Sequence, residues 1–223
     1  MASAPPSGEV GYAQVVVGAG PAEFVAVARI HPVTGSIRAV DAHVEGVMVE
    51  YLRWCASRLE TVCGVTFDDP EAAVSAHHHA FLRELPQLTA PRGRLLVARR
   101  GDRVVGVGAL KPVSQEVAEI KRMYVRPEAR GQGVGRALME RLLHDARQIG
   151  YRVARLETAT FMAEAHRLYR SLGFNDVAEF DRNEAGLSGL ERHMYFMQLT
   201  LVGPERLVSV VRYSGSHPVA GGA

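Results

Sequence analysis

The stretch "EIKRMYVRPEARGQGVGRALMERLL", Glu119 to Leu143, constrains the fold more tightly than any other part of the chain. A β-rich run ends at Val125, and Pro127, which lacks an N–H, stops its pairing. Arg130-Gly131-Gln132-Gly133-Val134-Gly135 then leads straight into a helical pattern with Val134, Leu138, Leu142 and Ala146 on one face. A strand must therefore hand over to a helix across a glycine-rich turn. The start of such a helix offers unpaired N–H groups and about half a positive charge. Glycines let that backbone curl around an anion with no Cβ in the way. Arg130 adds a cation beside the turn. No Gly-Lys-Ser/Thr follows, so this is not the phosphate loop that holds a nucleotide and magnesium. Taken alone, the motif reads either as an anion cup or as a tight turn without ligand.

The neighbouring segments set the sheet around it. "RLLVARR", "RVVGVGALKPV" and "VAEIKRMYV" are three β-rich runs separated by Gly101-Asp102 and Ser114-Gln115, the pattern of an antiparallel meander. Before them, a helix is expected from about Ala42 to Leu59 with Asp41 as its cap, and a second from Asp69-Pro70 to about Leu85. After the glycine turn come a helix to Ile149, the strand "RVARLET", a helix over Met162–Leu172, a strand opening at Gly173-Phe174, and the alternating "RHMYFMQLTLV". Residues 1–36 form an N-terminal extension in which two apolar segments flank Gly18-Ala19-Gly20-Pro21-Ala22, as a hairpin or a strand and helix. Residues 37–202 form the main domain. Residues 203–223 form a C-terminal extension with room for one more strand and a loose tail.

Composition excludes several classes. The net charge of +2 is small, and its arginines are scattered, so neither a nucleic-acid partner nor a membrane surface is expected. No run approaches the ~18 apolar residues of a membrane span, and no secretory leader is evident, which makes the cytoplasm the expected location. Cys55 and Cys63, eight residues apart in a helical pattern, read as free thiols. His77-His78-His79 point about 100° apart on a helix and cannot converge on one metal ion. No metal site is expected.

Two blocks found in order identify the chain as resembling the GNAT superfamily of acyl-CoA-dependent N-acetyltransferases, over roughly Arg94 to Leu201. One is Arg130-Gly131-Gln132-Gly133-Val134-Gly135, matching Arg/Gln-x-x-Gly-x-Gly/Ala after a strand. The other is Leu168-Tyr169-Arg170-Ser171-Leu172-Gly173-Phe174, matching a helix that ends LYxxxGF. The resemblance implies an α/β domain of the α+β type with the acyl-CoA N-acyltransferase fold. Such a fold has a twisted, mixed, mostly antiparallel sheet of six or seven strands, splayed in the middle, with about four helices. The splay falls between the strand ending at Val125 and the strand Arg152–Thr158. A bulge leaves backbone groups around Met123, Tyr124 and Val125 to pair with pantetheine, the diphosphate lies on amides from Arg130 to Gly135, and Arg136 also belongs to the cofactor site. Thr158 stands near where relatives contact the pantetheine arm with an asparagine that this chain lacks.

The implied reaction is attack of a primary amine, on a small molecule or peptide, upon the thioester of acetyl-CoA. A lysine-like amine is almost wholly protonated at pH 7, a handicap of ~4–5 kcal/mol, so a base is useful. Glu119 sits where some relatives carry a catalytic glutamate; it also reads as a strand residue beside Lys121. Tyr169 occupies the position of a general-acid tyrosine, and it also reads as packing beneath the cofactor. A non-catalytic coenzyme A-binding module of the same fold is the alternative, and a homodimer is compatible with either.

The Gly18-Ala19-Gly20 segment invites a flavin or nicotinamide reading. That fingerprint wants a third glycine where this chain has Glu23, an unbroken helix where it has Pro32 and Gly35, and further βαβ units. No flavin is expected. Trp54, Phe81, Phe161 and Phe180 could line the acceptor pocket or form core. Asp181, Glu184 and Glu191 could draw a cationic amine or be solvated.

Overall fold

The computed structural model describes residues 13–15, 28–32, 42–181 and 189–201. The Gly18–Ala22 turn, Asp41, Glu184 and the 203–223 extension lie outside them. Among the described residues, four α-helices and eight strands follow the chain as β1 (Ala13–Val15), β2 (Ala28–Pro32), α1 (Ala42–Cys63), α2 (Pro70–Glu84), β3 (Arg94–Arg100), β4 (Arg103–Pro112), β5 (Val117–Val125), α3 (Val134–Ile149), β6 (Val153–Ala159), α4 (Ala163–Ser171), β7 (Asn175–Val177) and β8 (Met194–Thr200). They build one sheet in the order β1-β2-β3-β4-β5-β6-β8-β7. Every neighbouring pair is antiparallel except β5 with β6. The mixed, mostly antiparallel sheet expected from the sequence is present. It gains its eighth strand because β1 and β2 pair with each other and β2 continues onto β3.

Local chemistry explains the helix limits. Asp69 accepts a hydrogen bond from the Ala72 N–H at 2.9 Å, and Pro70 begins α2. Helix α1 runs past Leu59 to Cys63, and it stops at Gly64, which adopts φ +66° while the Val65 N–H reaches back to the Leu59 carbonyl at 3.1 Å. Gly150 closes α3 in the same left-handed conformation, φ +100°.

Each side of the sheet carries its own apolar layer. Leu138, Leu142 and Ala146 of α3 pack with Leu96, Ala98, Ala118, Ile120, Ala154 and Leu156. Val44, Val47 and Met48 of α1 and Phe81 of α2 pack with Leu95, Val97, Val107 and Ala109 on the other face. Alternate residues of β3 thus feed opposite layers, as the pleat requires, and the strand reads as nearly unbroken hydrophobic sequence because both its faces are covered. At about 2 kcal/mol per fully buried leucine, either layer supplies a large part of the driving force. The aromatic Phe81 belongs to this core and is fully buried.

A bulge in β5 sets the direction of the strand's last side chains. Val107 pairs with Tyr124 and Ala109 with Lys121, so Arg122 and Met123 together oppose Gly108, and Arg122 takes φ +59°. The extra residue shifts the alternation. Ala118, Ile120, Met123 and Val125 face α3, whereas Tyr124 joins the layer under α1. A glycine opposite the bulge leaves room for Met123, because a Cβ on Gly108 would lie 2.5 Å from its sulfur and force that side chain to shift.

Candidate active site

β5 and β6 pair for three rungs only, Val117–Glu119 against Val153–Arg155, and then separate. Beyond Glu119 the β6-facing edge of β5 has no strand beside it among the described residues. The Arg126 N–H donates to the Val105 carbonyl at 2.9 Å, so in the antiparallel ladder the N–H and C=O of Val125 point the opposite way, into the opening. The opening is a cleft of about 500 Å³. It is walled by Met123, Tyr124 and Val125, by Arg130, Gly131, Gly133, Val134, Gly135 and Arg136, and across from them by Phe161–Ala165, Leu168 and Tyr169. Trp54 of α1 reaches it as well.

The floor at one end is a cup of main-chain amides. After β5, a single tight turn at Pro127–Ala129 delivers the chain to Gly131 and Gly133, whose φ values of +70° and +76° only glycine adopts cheaply. Gly133 is the residue before α3 and, as a glycine, brings no side chain to cap the first-turn N–H groups. Those amides and the helix dipole therefore face the cleft ready for an anion. Gly135 is different. A Cβ there would meet Leu168 and Val125 at 3.6 and 3.7 Å, ordinary contact distances, which agrees with the Gly/Ala alternative of the motif.

Arg130 does not hang freely beside the cup. Its Nε donates to the Val125 carbonyl at 2.9 Å, and its guanidinium lies over the rings of Trp54 and Tyr124, 5.3 and 5.6 Å from their centroids. Tyr124 in turn donates its hydroxyl to Glu50 at 2.9 Å, and burial together with that bond pushes its phenol up to about 12. Arg126 takes the other Glu50 oxygen at 2.8 Å. Arg136 lines the cleft and is steadied by Ser171 Oγ at 2.7 Å.

Three of the residues expected to be catalytic or to hold the cofactor fall outside the cleft wall. Gln132 turns its amide to Arg100 and to the Glu128 carbonyl. Thr158 is buried, with its hydroxyl against the Met162 sulfur at 3.6 Å. Glu119 is buried at the last rung before the strands part, where Arg155 Nη2 lies 3.1 Å and Lys121 Nζ 3.5 Å from its carboxylate. It shares the α1 side of the sheet with Lys121, which also meets Glu84 of α2 at 2.9 Å. Lys111 and Arg122 approach Glu84 too, at 2.6 and 3.4 Å. Burial alone would raise the Glu84 carboxyl; Lys121, Lys111 and Arg122 more than reverse this and hold it below the ordinary glutamate value.

Tyr169 lies in the wall of the cleft, buried beside Phe174 with ring centroids 6.0 Å apart. Burial pushes its phenol well above the ordinary tyrosine value. It can offer a hydrogen bond to a sulfur in the cleft and gives up its proton reluctantly. The opposite wall residues Met162, Ala163, Ala165 and Leu168 carry no chemical signature that a sequence reading could use. Asp181 is exposed and Glu191 half-buried, and neither lines the cleft. Phe180 packs edge-on to Phe196 at 5.1 Å and under Arg155 at 3.9 Å, away from the wall.

Residues 58–174 match the model of the Acetyltransferase (GNAT) family. The chain is 43% identical over 100 residues to the IAA acetyltransferase of Azospirillum brasilense, a stretch that covers 44% of this chain and 65% of that one. In eight of the curated relatives it matches, the aligned stretch spans between 29% and 65% of the relative's length. Among solved structures, the fold is similar to an acetyltransferase from Streptococcus agalactiae, with TM-score 0.59 and 18% identity over 77% of this chain and 97% of that one. It is also similar to the PaiA N-acetyltransferase of Thermoplasma acidophilum in complex with coenzyme A, with TM-score 0.56 and 18% identity over 77% and 98% of the two chains.

Proposed function

The chain belongs to the GNAT acetyltransferase family, and on that premise we propose that it transfers an acetyl group from acetyl-CoA to a primary amine by direct attack within a ternary complex. One observation carries the reading: the bulged β5 leaves an open strand edge that ends in an uncapped helix N-terminus. An extended pantetheine arm can pair with Val125 as an added strand, while its diphosphate rests on the amides of Gly131, Gly133, Val134 and Gly135. Arg136, at the rim, adds a cation to that anion. With its phosphate end fixed on the α3 side, the thioester passes through the gap between β5 and β6 toward the α1 side. Residues 37–202 constitute the catalytic domain on this reading, with 1–36 and 203–223 as additions. The absence of a membrane-crossing helix among the described residues is compatible with action in the cytoplasm.

The amine enters on the α1 side and meets Glu119, which takes its proton through a water as the bond to the acetyl carbon forms. Proximity is the larger contribution, since holding amine and thioester together replaces a bimolecular encounter by an internal one. Tyr169 stands by the sulfur as a hydrogen-bond donor. It orients the departing thiolate, which takes up its proton from the site's water or from the amine.

Thiol release from acetyl-CoA across a panel of primary amines tests this. Wild-type protein is expected to release thiol only when an amine is present. Glu119→Gln is expected to lower kcat/KM by about 100-fold while coenzyme A affinity stays within about threefold. Amine-independent release, or none with any amine, contradicts acetyl transfer and favours the non-catalytic module. Unchanged kcat/KM in Glu119→Gln removes that residue from the role of base.

A further inference from the structure

Resting on that reading, we propose that the acceptor is an amine carrying a flat apolar group, seated against Trp54 and Phe161. These two rings come from distant parts of the chain. Trp54 is on α1 and Phe161 on the link between β6 and α4, yet they meet edge to face with centroids 5.6 Å apart at 76°. Both are half-buried and both line the cleft. Tyr124 adds a third ring, 6.1 Å from Trp54. Because the bulge places Tyr124 on the α1 side, this aromatic end lies through the sheet from the amide cup. It is the end that the cofactor's diphosphate cannot occupy when seated on α3. A planar group already rests there, since the Arg130 guanidinium covers the Trp54 ring.

Charge points the same way. A polyamine or aminoglycoside needs several carboxylates turned toward it. Among the described residues on this side, Glu50 holds Tyr124 and Arg126, Glu84 holds Lys111, Lys121 and Arg122, and Glu119 holds Arg155. Each of these three is thus already engaged by the chain's own donors, and Glu164, which also lines the cleft, lies 3.8 Å from Arg167. The same cations disfavour an ammonium beside them and so favour the neutral amine, which is the form that attacks. An acceptor with one amino group and a flat apolar body gains from the rings and loses least from the cations.

The chain has one tryptophan, Trp54, so its fluorescence reports directly on this end of the cleft. Protein saturated with coenzyme A is titrated with 2-phenylethylamine, ethylamine and spermidine, and thiol release from acetyl-CoA is followed in parallel with each. Phenylethylamine is expected to bind about tenfold more tightly than ethylamine and more tightly than spermidine. In Phe161→Ala the preference over ethylamine is expected to shrink to about threefold or less. As a ratio within one variant, it is insensitive to a general loss of stability or of cofactor affinity. Spermidine binding as tightly as phenylethylamine, or a ratio unmoved by Phe161→Ala, overturns the assignment. Absence of thiol release with all three amines, with the binding ratio as expected, instead removes the acetyl-transfer reading and leaves the aromatic subsite standing.

Discussion

The two sides of β5 are built by different means. On the α3 side the site is main chain: a strand edge, two left-handed glycines and the first turn of a helix. On the α1 side it is side chain: Trp54, Tyr124 and Phe161 from three separate elements, over the ion pairs of Glu50, Glu84 and Glu119. On the proposed function, backbone geometry recognises what every acyl-CoA donor shares, a diphosphate and an extended arm. Side chains would then recognise what differs between acceptors. A single extra residue in β5 joins the halves, because without the bulge Tyr124 would face α3 and the edge at Val125 would not open into the cleft.

Substitutions on either side sharpen or break this division. The largest effect on stability is expected on the side-chain half. Glu84→Gln leaves Lys111, Lys121 and Arg122 without their shared carboxylate, and it is expected to cost about 3 kcal/mol at pH 7 by chemical denaturation. The pH dependence has a definite sign. The Glu84 carboxyl is held below its ordinary value of 4.5, so its contribution is complete above that pH and is lost as the pH falls through the lower folded value. The gap between wild type and Glu84→Gln should therefore be constant near neutrality and narrow below about pH 4.5. A gap that widens in acid contradicts the ion-pair assignment. Coenzyme A affinity should hardly change in this variant, because the cup is on the other side.

Gly133→Val acts on the main-chain half. A branched side chain at φ +76° costs about 1–2 kcal/mol. The variant escapes by rotating its backbone and turning the amides away from the cleft. Coenzyme A affinity by calorimetry should fall about tenfold with the far-ultraviolet spectrum unchanged. Retained affinity contradicts the cup. Gly135→Ala is the smallest change and the sharpest contrast. Its Cβ would have ordinary contacts to Leu168 and Val125, so the melting temperature should hold or rise, consistent with a gain of about 0.5–1 kcal/mol for alanine over glycine in a helix. A loss above about 1 kcal/mol shows a tighter wall than the structure describes.

The same division governs what the sequence discloses. The edges of β3 and β5, the Asp69 cap and the start of α3 are written in local chemistry: alternation, a proline, a glycine run. So is the cup, whose glycines and arginine stand together in six residues. The bulge is not, since "VAEIKRMYV" carries no proline or glycine to mark an inserted residue. Gly108, on the facing strand, is its trace, and its meaning emerges only once Met123 lies against it. The partners of Glu119 are equally hidden. Arg155 lies 36 residues away and becomes its neighbour only through the parallel pairing of β5 with β6. Trp54 and Phe161 are visible as aromatic residues, while their meeting depends on how α1 crosses the sheet. Helix α1 overruns its expected end because the stop signal is Gly64, beyond the last apolar repeat.

Calorimetric comparison of coenzyme A with pantetheine, which has the extended arm and thiol but no diphosphate, tests the central claim most directly. If the amides of Gly131, Gly133 and Gly135 form an anion cup, coenzyme A should bind at least about a hundredfold more tightly. Gly133→Val should erode that advantage and leave pantetheine binding as it was. Equal affinities for the two ligands, or a diphosphate preference untouched by Gly133→Val, would contradict the account.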